Sequence, residues 1–176
     1  MIEQGSTELP HLFLEIRSSS IAGWGSYARR TIADGKLVTI FTGEIIDRKE
    51  WDRRYALNIL RSADDDLPLG NYRYMILDGS SLFINHSCDP NCGVRKESEL
   101  IALREIKAGE EITFDYSSTV GFHSKWEMEC KCGSSKCRGA IGSALSIPKD
   151  QLLKYFKANA LPNFILEEIN EGKIKL

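Results

Sequence analysis

Phe83-Ile84-Asn85-His86-Ser87-Cys88-Asp89-Pro90-Asn91 packs an amide, an imidazole and a thiol into four consecutive residues and then stops the backbone with Asp-Pro-Asn. Proline drives the residue before it out of the helical region, and an asparagine bonds readily to its own turn. The stretch therefore reads as a short apolar strand running into a fixed turn. Asn85 and His86 leave that strand as neighbours. Taken alone, an Asn-His pair is more often structural than functional, so its meaning depends on the rest of the chain.

At 176 residues the chain fits one domain, long enough to bury roughly 70% of the surface its unfolded form exposes. A hydrophobic share of 42% and a charged share of 27% are those of a globule, neither disordered nor membrane-embedded. The net charge of −2 argues against direct nucleic-acid binding, which needs a basic excess, and leaves room for a basic partner. Met1-Ile2-Glu3-Gln4 has neither the basic start nor the apolar run of a secretory signal, and no stretch of about 18 apolar residues occurs. The expectation is an intracellular protein without a membrane segment. Five cysteines, three of them between 130 and 137, suit a metal site in a reducing compartment better than a disulfide framework.

Along the chain, short apolar runs alternate with turns. Strands are expected at Leu12–Ile16, Leu37–Phe41, Asn71–Leu77 (with Tyr72 and Tyr74 on one face), Val94-Arg95 with Leu100–Leu103, and Ile112–Tyr116. Asp47 and Glu50 have the form of a capping box, followed by Trp51, Tyr55 and Ile59 at helical spacing, a helix read as core packing. Residues 61–70, with Asp64-Asp65-Asp66, read as a solvated acidic loop. Ser146-Ile147-Pro148 opens a helix with the stripe Leu152, Leu153, Phe156 and Ala160, and Phe164, Ile165 and Ile169 suggest a second.

Three further features carry chemistry. In Gly23-Trp24-Gly25 two glycines let backbone approach a ligand while one flat ring covers it, although a turn with a buried tryptophan is the plainer reading. Strand period puts Ile112, Phe114 and Tyr116 on one side, so the two aromatic rings share a surface. Cys130-x-Cys132-x4-Cys137 offers three thiolates at close spacing for tetrahedral zinc, whose structural sites take four. Cys88 and Cys92 are the remaining thiols, and His86 is a further candidate for the fourth position.

Together Gly23-Trp24-Gly25, Phe83 to Asn91, Gly109-Glu110-Glu111-Ile112-Thr113-Phe114-Asp115-Tyr116 and Cys130 to Gly139 resemble, in order, the motifs of the SET-domain protein lysine methyltransferases. The resemblance extends from about Leu12 to Gly142. It implies a mainly β (α+β) fold: a β-clip with a pseudoknot that threads Asn85 to Asn91 under a C-terminal loop, short helices and a zinc-binding loop. The units would be a flexible 1–11, a SET domain over 12–118, a post-SET zinc loop over 126–142 and a helical extension over 146–176. It further implies S-adenosylmethionine as methyl donor, contacted by Gly23, Trp24, Gly25, Tyr72, Asn85, His86 and Ile141. Tyr116 would be catalytic, Phe41 and Phe114 would line the lysine channel, and Cys88 would join Cys130, Cys132 and Cys137 on one structural zinc. The substrate implied is a lysine-containing basic protein or peptide, histone or not. Phe114, where a tyrosine would fill space with its hydroxyl, implies di- or trimethylation. Leu82, where the family often carries arginine, and Phe41, where many relatives carry tyrosine, depart from the pattern. They motivate an alternative reading, a module of the same fold that binds cofactor or peptide without turnover.

Overall fold

The computed structural model describes residues 14–60 and 66–176. Apolar runs of only four or five residues, each stopped by a turn, give short strands and small sheets. In chain order these are β1 (Leu14–Ser18), β2 (Trp24–Ala28), β3 (Leu37–Ile40), β4 (Gly43–Asp47), helix α1 (Arg48–Ala56), β5 (Asp66–Pro68) and β6 (Arg73–Leu77). There follow β7 (Asn85–His86), β8 (Cys92–Arg95), β9 (Glu99–Ala102), β10 (Thr113–Phe114), β11 (Met128–Glu129), β12 (Ala140–Ile141), α2 (Lys149–Lys157) and α3 (Asn163–Asn170). β1 and β2 pair as an antiparallel hairpin, and the other antiparallel sheets run β3-β9-β8, β4-β6-β5 and β11-β12. β7 and β10 pair in parallel, so two segments distant in sequence lie side by side.

The main core gathers Leu14, Val38, Phe41, Leu67, Leu100, Ile106 and their neighbours from these sheets. β4 closes on β6 because position 43 carries no side chain: a Cβ there would sit 1.9 Å from the Ile76 carbonyl oxygen. A second core, built from Leu152, Tyr155, Leu161, Ile165 and Ile174 with Ala144 and Ile147, belongs to the C-terminal helices. It is seated against β8, where a Cβ on Gly93 would lie 2.7 Å from that of Ala160, and Asn163 N–H donates to the Lys96 carbonyl at 2.8 Å.

Several expectations need correction. Helix α1 is N-capped by Asp47, which accepts from Glu50 N–H at 2.8 Å, but the helix ends before Ile59 and none of its residues is buried. Trp51 instead stacks on Tyr55, ring centroids 5.0 Å apart, so the apolar stripe satisfies itself on the surface. Tyr72 is not a strand residue: with Asn71 it adopts positive φ (50° and 56°) in the turn before β6, which ends the period-two pattern. Residues 66–68 form β5 rather than loop, while 61–65, with Asp64 and Asp65, lie outside the described residues, as do Leu12 and Phe13 of the first expected strand. The Ile112–Tyr116 strand reduces to β10, after which residues Tyr116–Thr119 turn into a 3-10 helix. In α2 the buried pair is Leu152 and Tyr155, whereas Leu153 and Phe156 are exposed. Among the described residues no helix is long and apolar enough to cross a membrane.

Candidate active site and metal centre

The glycine turn between β1 and β2 is tied to the Asn-His segment through a carboxylate. Asn85 Nδ2 donates to the Trp24 carbonyl at 3.0 Å and to Glu111 Oε1 at 2.7 Å. Glu111 also accepts from Ser19 Oγ at 2.8 Å and from the Tyr27 hydroxyl at 3.1 Å. A Cβ on Gly25 would lie 2.2 Å from Glu111 Oε1, so glycine at 25 makes room for this carboxylate. At Gly23, with φ +42°, a Cβ would meet no atom within 4 Å, and the Trp24 side chain is largely exposed beside that open space. Because the Asn85 amide nitrogen is spent on the protein, its Oδ1 is the atom left to accept from an adenine amine. Backbone freedom at Gly23, an exposed ring and a directed acceptor fit an adenosine-bearing ligand.

Parallel pairing of β7 with β10 matches Asn85 to Thr113 and His86 to Phe114. Asp115 then caps the 3-10 turn by accepting from Ser117 N–H at 3.1 Å, and the turn delivers Tyr116 beside His86. The Tyr116 hydroxyl donates to the Ile84 carbonyl at 2.9 Å, and its backbone N–H donates to His86 Nδ1 at 3.2 Å. The phenol ring lies 4.8 Å from that of Phe114, and Phe41 meets Phe114 edge-on at 5.4 Å. Phe114 and Tyr116 line a cavity of about 470 Å³, together with Leu82, Ile84, Trp51 and Trp126. Phe41, 1% exposed, stands behind Phe114 in the core and is not part of this lining. Tyr72, 74% exposed, does not join the group either; the neighbouring Gly70 packs on Phe164.

Burial, and secondarily the charge of Arg138, lowers the His86 pKa to about 3, so the ring is neutral. Acceptance by Nδ1 from Tyr116 N–H leaves the proton on Nε2, which points at Cys88 Sγ at 3.2 Å. His86 Nε2 and the sulfurs of Cys88, Cys130 and Cys132 all lie within 4.8 Å of one another. Cys130 Sγ is 3.7 Å from Cys88 Sγ and 3.7 Å from Cys137 Sγ. With its proton on Nε2, His86 would donate to sulfur rather than offer a lone pair, and Cys137, whose sulfur lies beside Cys130, would then be the thiol able to join Cys88, Cys130 and Cys132 as a donor set. Burial raises the Cys88 and Cys130 thiol pKa values; at Cys132 burial is also the largest influence and acts upward, but hydrogen bonds from the N–H groups of Cys88 and Ser134 and from the thiols of Cys130 and Cys137 together more than offset it, lowering that thiol to about 7. So many sulfurs in contact are held best as thiolates by a soft dication, and zinc fits. Cys92 lies in the main core, apart from this cluster. Ile141 packs with the thiols, and Ile21, Tyr116, Trp126 and Met128 border the same group.

Sequence reasoning missed Glu111 and the buried ion pair between Asp115, 1% exposed, and Arg138. The guanidinium reaches Oδ1 at 2.6 Å and Oδ2 at 3.0 Å, joining the cysteine loop to the residue before Tyr116. In the sequence Asp115 and Arg138 stand only as members of two separate motifs, and only proximity across 23 positions gives the pair its meaning.

Residues 23–117 match the family described as SET domain. The chain is 33% identical over 132 residues to the histone-lysine N-methyltransferase ash1 of Drosophila melanogaster, covering 68% of this chain and 6% of that protein. It is 31% identical over 179 aligned residues to a variant-silencing SET domain-containing protein of Plasmodium falciparum, covering 86% and 7%. It is 33% identical over 158 residues to the human histone-lysine N-methyltransferase, H3 lysine-36 specific, covering 78% and 5%. The chain thus spans only a small part of the length of these relatives. A matched region that contains the glycine turn, the Asn-His segment and the Tyr116 turn, with relatives named as lysine methyltransferases, leaves one assignment: the chain belongs to the SET-domain family, whose lysine methyltransferases it resembles in sequence.

Proposed function

We propose that the protein transfers methyl groups from S-adenosylmethionine to lysine side chains of a basic protein and builds di- or trimethyl-lysine. The observation that carries this reading is the Tyr116 phenol, which borders both the 470 Å³ cavity and the cluster that contains Ile21, Ile141 and the thiols. A lysine entering the cavity and an adenosine ligand seated at Gly23 would approach that hydroxyl from its two sides. Histones are the first substrates to test, given the relatives' names. A reduced thiol cluster suits an intracellular compartment.

S-adenosylmethionine, when bound, supplies an electrophilic methyl group on a positively charged sulfur. Gly23, Trp24, Gly25, Asn85, the His86 backbone and Ile141 would hold it, and Cys88, Cys130, Cys132 and Cys137 would hold zinc as a closed structural site. The apolar walls of Phe114, Ile84 and Leu82 disfavour a lysine ammonium, whose reference pKa is ~10.4, and so favour loss of its proton to water before transfer. Tyr116 would then orient the neutral amine, and alignment rather than acid or base strength is what displacement at a methyl group requires. The Tyr116 hydroxyl rests on the Ile84 carbonyl, so it is held in place before any substrate arrives.

Labelled S-adenosylmethionine and purified core histones test the reading; methyl-lysine on a histone supports it, and no transfer to histones or to lysate proteins refutes it. Product number tests Phe114. Phe114→Tyr adds a hydroxyl beside Tyr116 and should shift the product from di- and trimethyl toward monomethyl-lysine by mass spectrometry, with an unchanged distribution contradicting the role.

A further inference from the structure

Helix α2, which lies beyond the family-matched residues 23–117, is bonded directly into the candidate site. Gln151 Nε2 donates to the Cys88 carbonyl at 2.9 Å, lies 3.5 Å from Asp115 Oδ2, and donates to the Tyr155 hydroxyl. The Tyr155 hydroxyl in turn points at Asp115 Oδ2 at 3.4 Å. Tyr155 is 4% exposed, so this hydroxyl has little recourse to water. The Asp115 carboxylate is thereby gripped from two directions: by Arg138 of the cysteine loop, and by the Gln151–Tyr155 pair. Its Oδ1 is the cap of the turn that begins with Tyr116. Gln151 also holds the backbone of Cys88, two residues from the His86 ring that receives the Tyr116 N–H.

We propose that Gln151 and Tyr155 are positioning residues for Tyr116, so that the C-terminal helices set the phenol and the Cys88 end of the Asn-His segment as one rigid unit. This deepens the methyltransferase reading and rests on it for its kinetic test. A chain of hydrogen bonds from amide to phenol to carboxylate polarises in one sense and resists local rotation, whereas the two links onto Asp115 are individually long. The expected effect therefore falls on alignment rather than on folding.

The zinc-loaded chain of residues 1–176 is assayed with labelled S-adenosylmethionine and core histones as parent, Gln151→Ala, Tyr155→Phe and, as a control on the exposed side of the same helix, Leu153→Ala. Loss of alignment by a fraction of an ångström lowers kcat by about ten- to a hundredfold. KM for histone and cofactor should stay within about twofold, and cofactor should still bind at about one per chain, while Leu153→Ala behaves as the parent. A merely structural role would instead lower melting temperature and binding stoichiometry with turnover per bound cofactor unchanged, and that result overturns the proposal. Fluorotyrosine at position 116 gives a readout free of activity. Its 19F resonance should shift in Gln151→Ala and Tyr155→Phe but not in Leu153→Ala, and an unmoved resonance overturns the proposal. A parent chain that transfers no methyl group sinks the methyltransferase reading, and the positioning inference then stands or falls on the resonance.

Discussion

Tyr116→Phe is expected to lower methyl transfer by about two to three orders of magnitude, the loss typical of removing one pre-aligned hydrogen-bonding group at a reacting centre. Cofactor affinity should change by less than about threefold. The two effects separate because only the hydroxyl is lost. The ring keeps its contacts with Phe114 and His86, and the backbone N–H keeps its bond to His86 Nδ1. The group left without its donor is the Ile84 carbonyl, a cost of ~1 kcal/mol to stability, too small to unfold the chain. Methyl transfer to histones and calorimetric titration with S-adenosylmethionine, run on the same preparation, check the prediction. Equal loss of transfer and binding would move Tyr116 from the chemistry to the architecture of the cofactor site.

What could be read from the linear sequence depended on how rare each pattern is. Three cysteines within eight residues have few structural uses, so a metal-binding cluster was legible from spacing, whereas the Asn-His segment took its meaning only from the resemblance of the other motifs around it. The shared surface of Phe114 and Tyr116 was also anticipated, though strand alternation was the wrong reason: β10 has two residues, and the rings meet because a capped 3-10 turn swings Tyr116 back. Helix α1 shows the converse failure. Trp51 and Tyr55 form a stripe, but Arg48, Glu50, Arg53 and Arg54 crowd the other faces with ion pairs, and the stripe stays at the surface with Trp51 lining the cavity. Glu111, Arg138 and Gln151 could not be picked out at all. Apart from the contact of Gln151 with Tyr155 within α2, their side chains act on distant partners, as much as 92 positions away, and a charged or amide residue in a loop or on a helix looks the same whether solvated or engaged.

Cys132→Ser should release zinc, with metal content falling from about one ion per chain to near zero, and should abolish methyl transfer although no sulfur lines the cavity. The coupling runs through Cys88: its sulfur shares the cluster, its carbonyl is held by Gln151, and His86 two residues earlier receives the Tyr116 N–H. Structural zinc binding is worth ~10–16 kcal/mol in small metal-folded units, so its loss would free the 126–142 loop and, with it, the Arg138 clamp on Asp115. Limited proteolysis within that loop, zinc by atomic absorption and the histone assay should therefore change together, and strong chelation of the parent should reproduce all three. Two further substitutions decide the donor set. If Nε2 of His86 carries a proton toward sulfur, His86→Gln keeps its zinc and Cys137→Ser loses it; the reverse pattern would put the imidazole on the metal and leave the exposed Cys137 outside the site. Cys92→Ser, altered only within the main core, should retain the full metal content in either case.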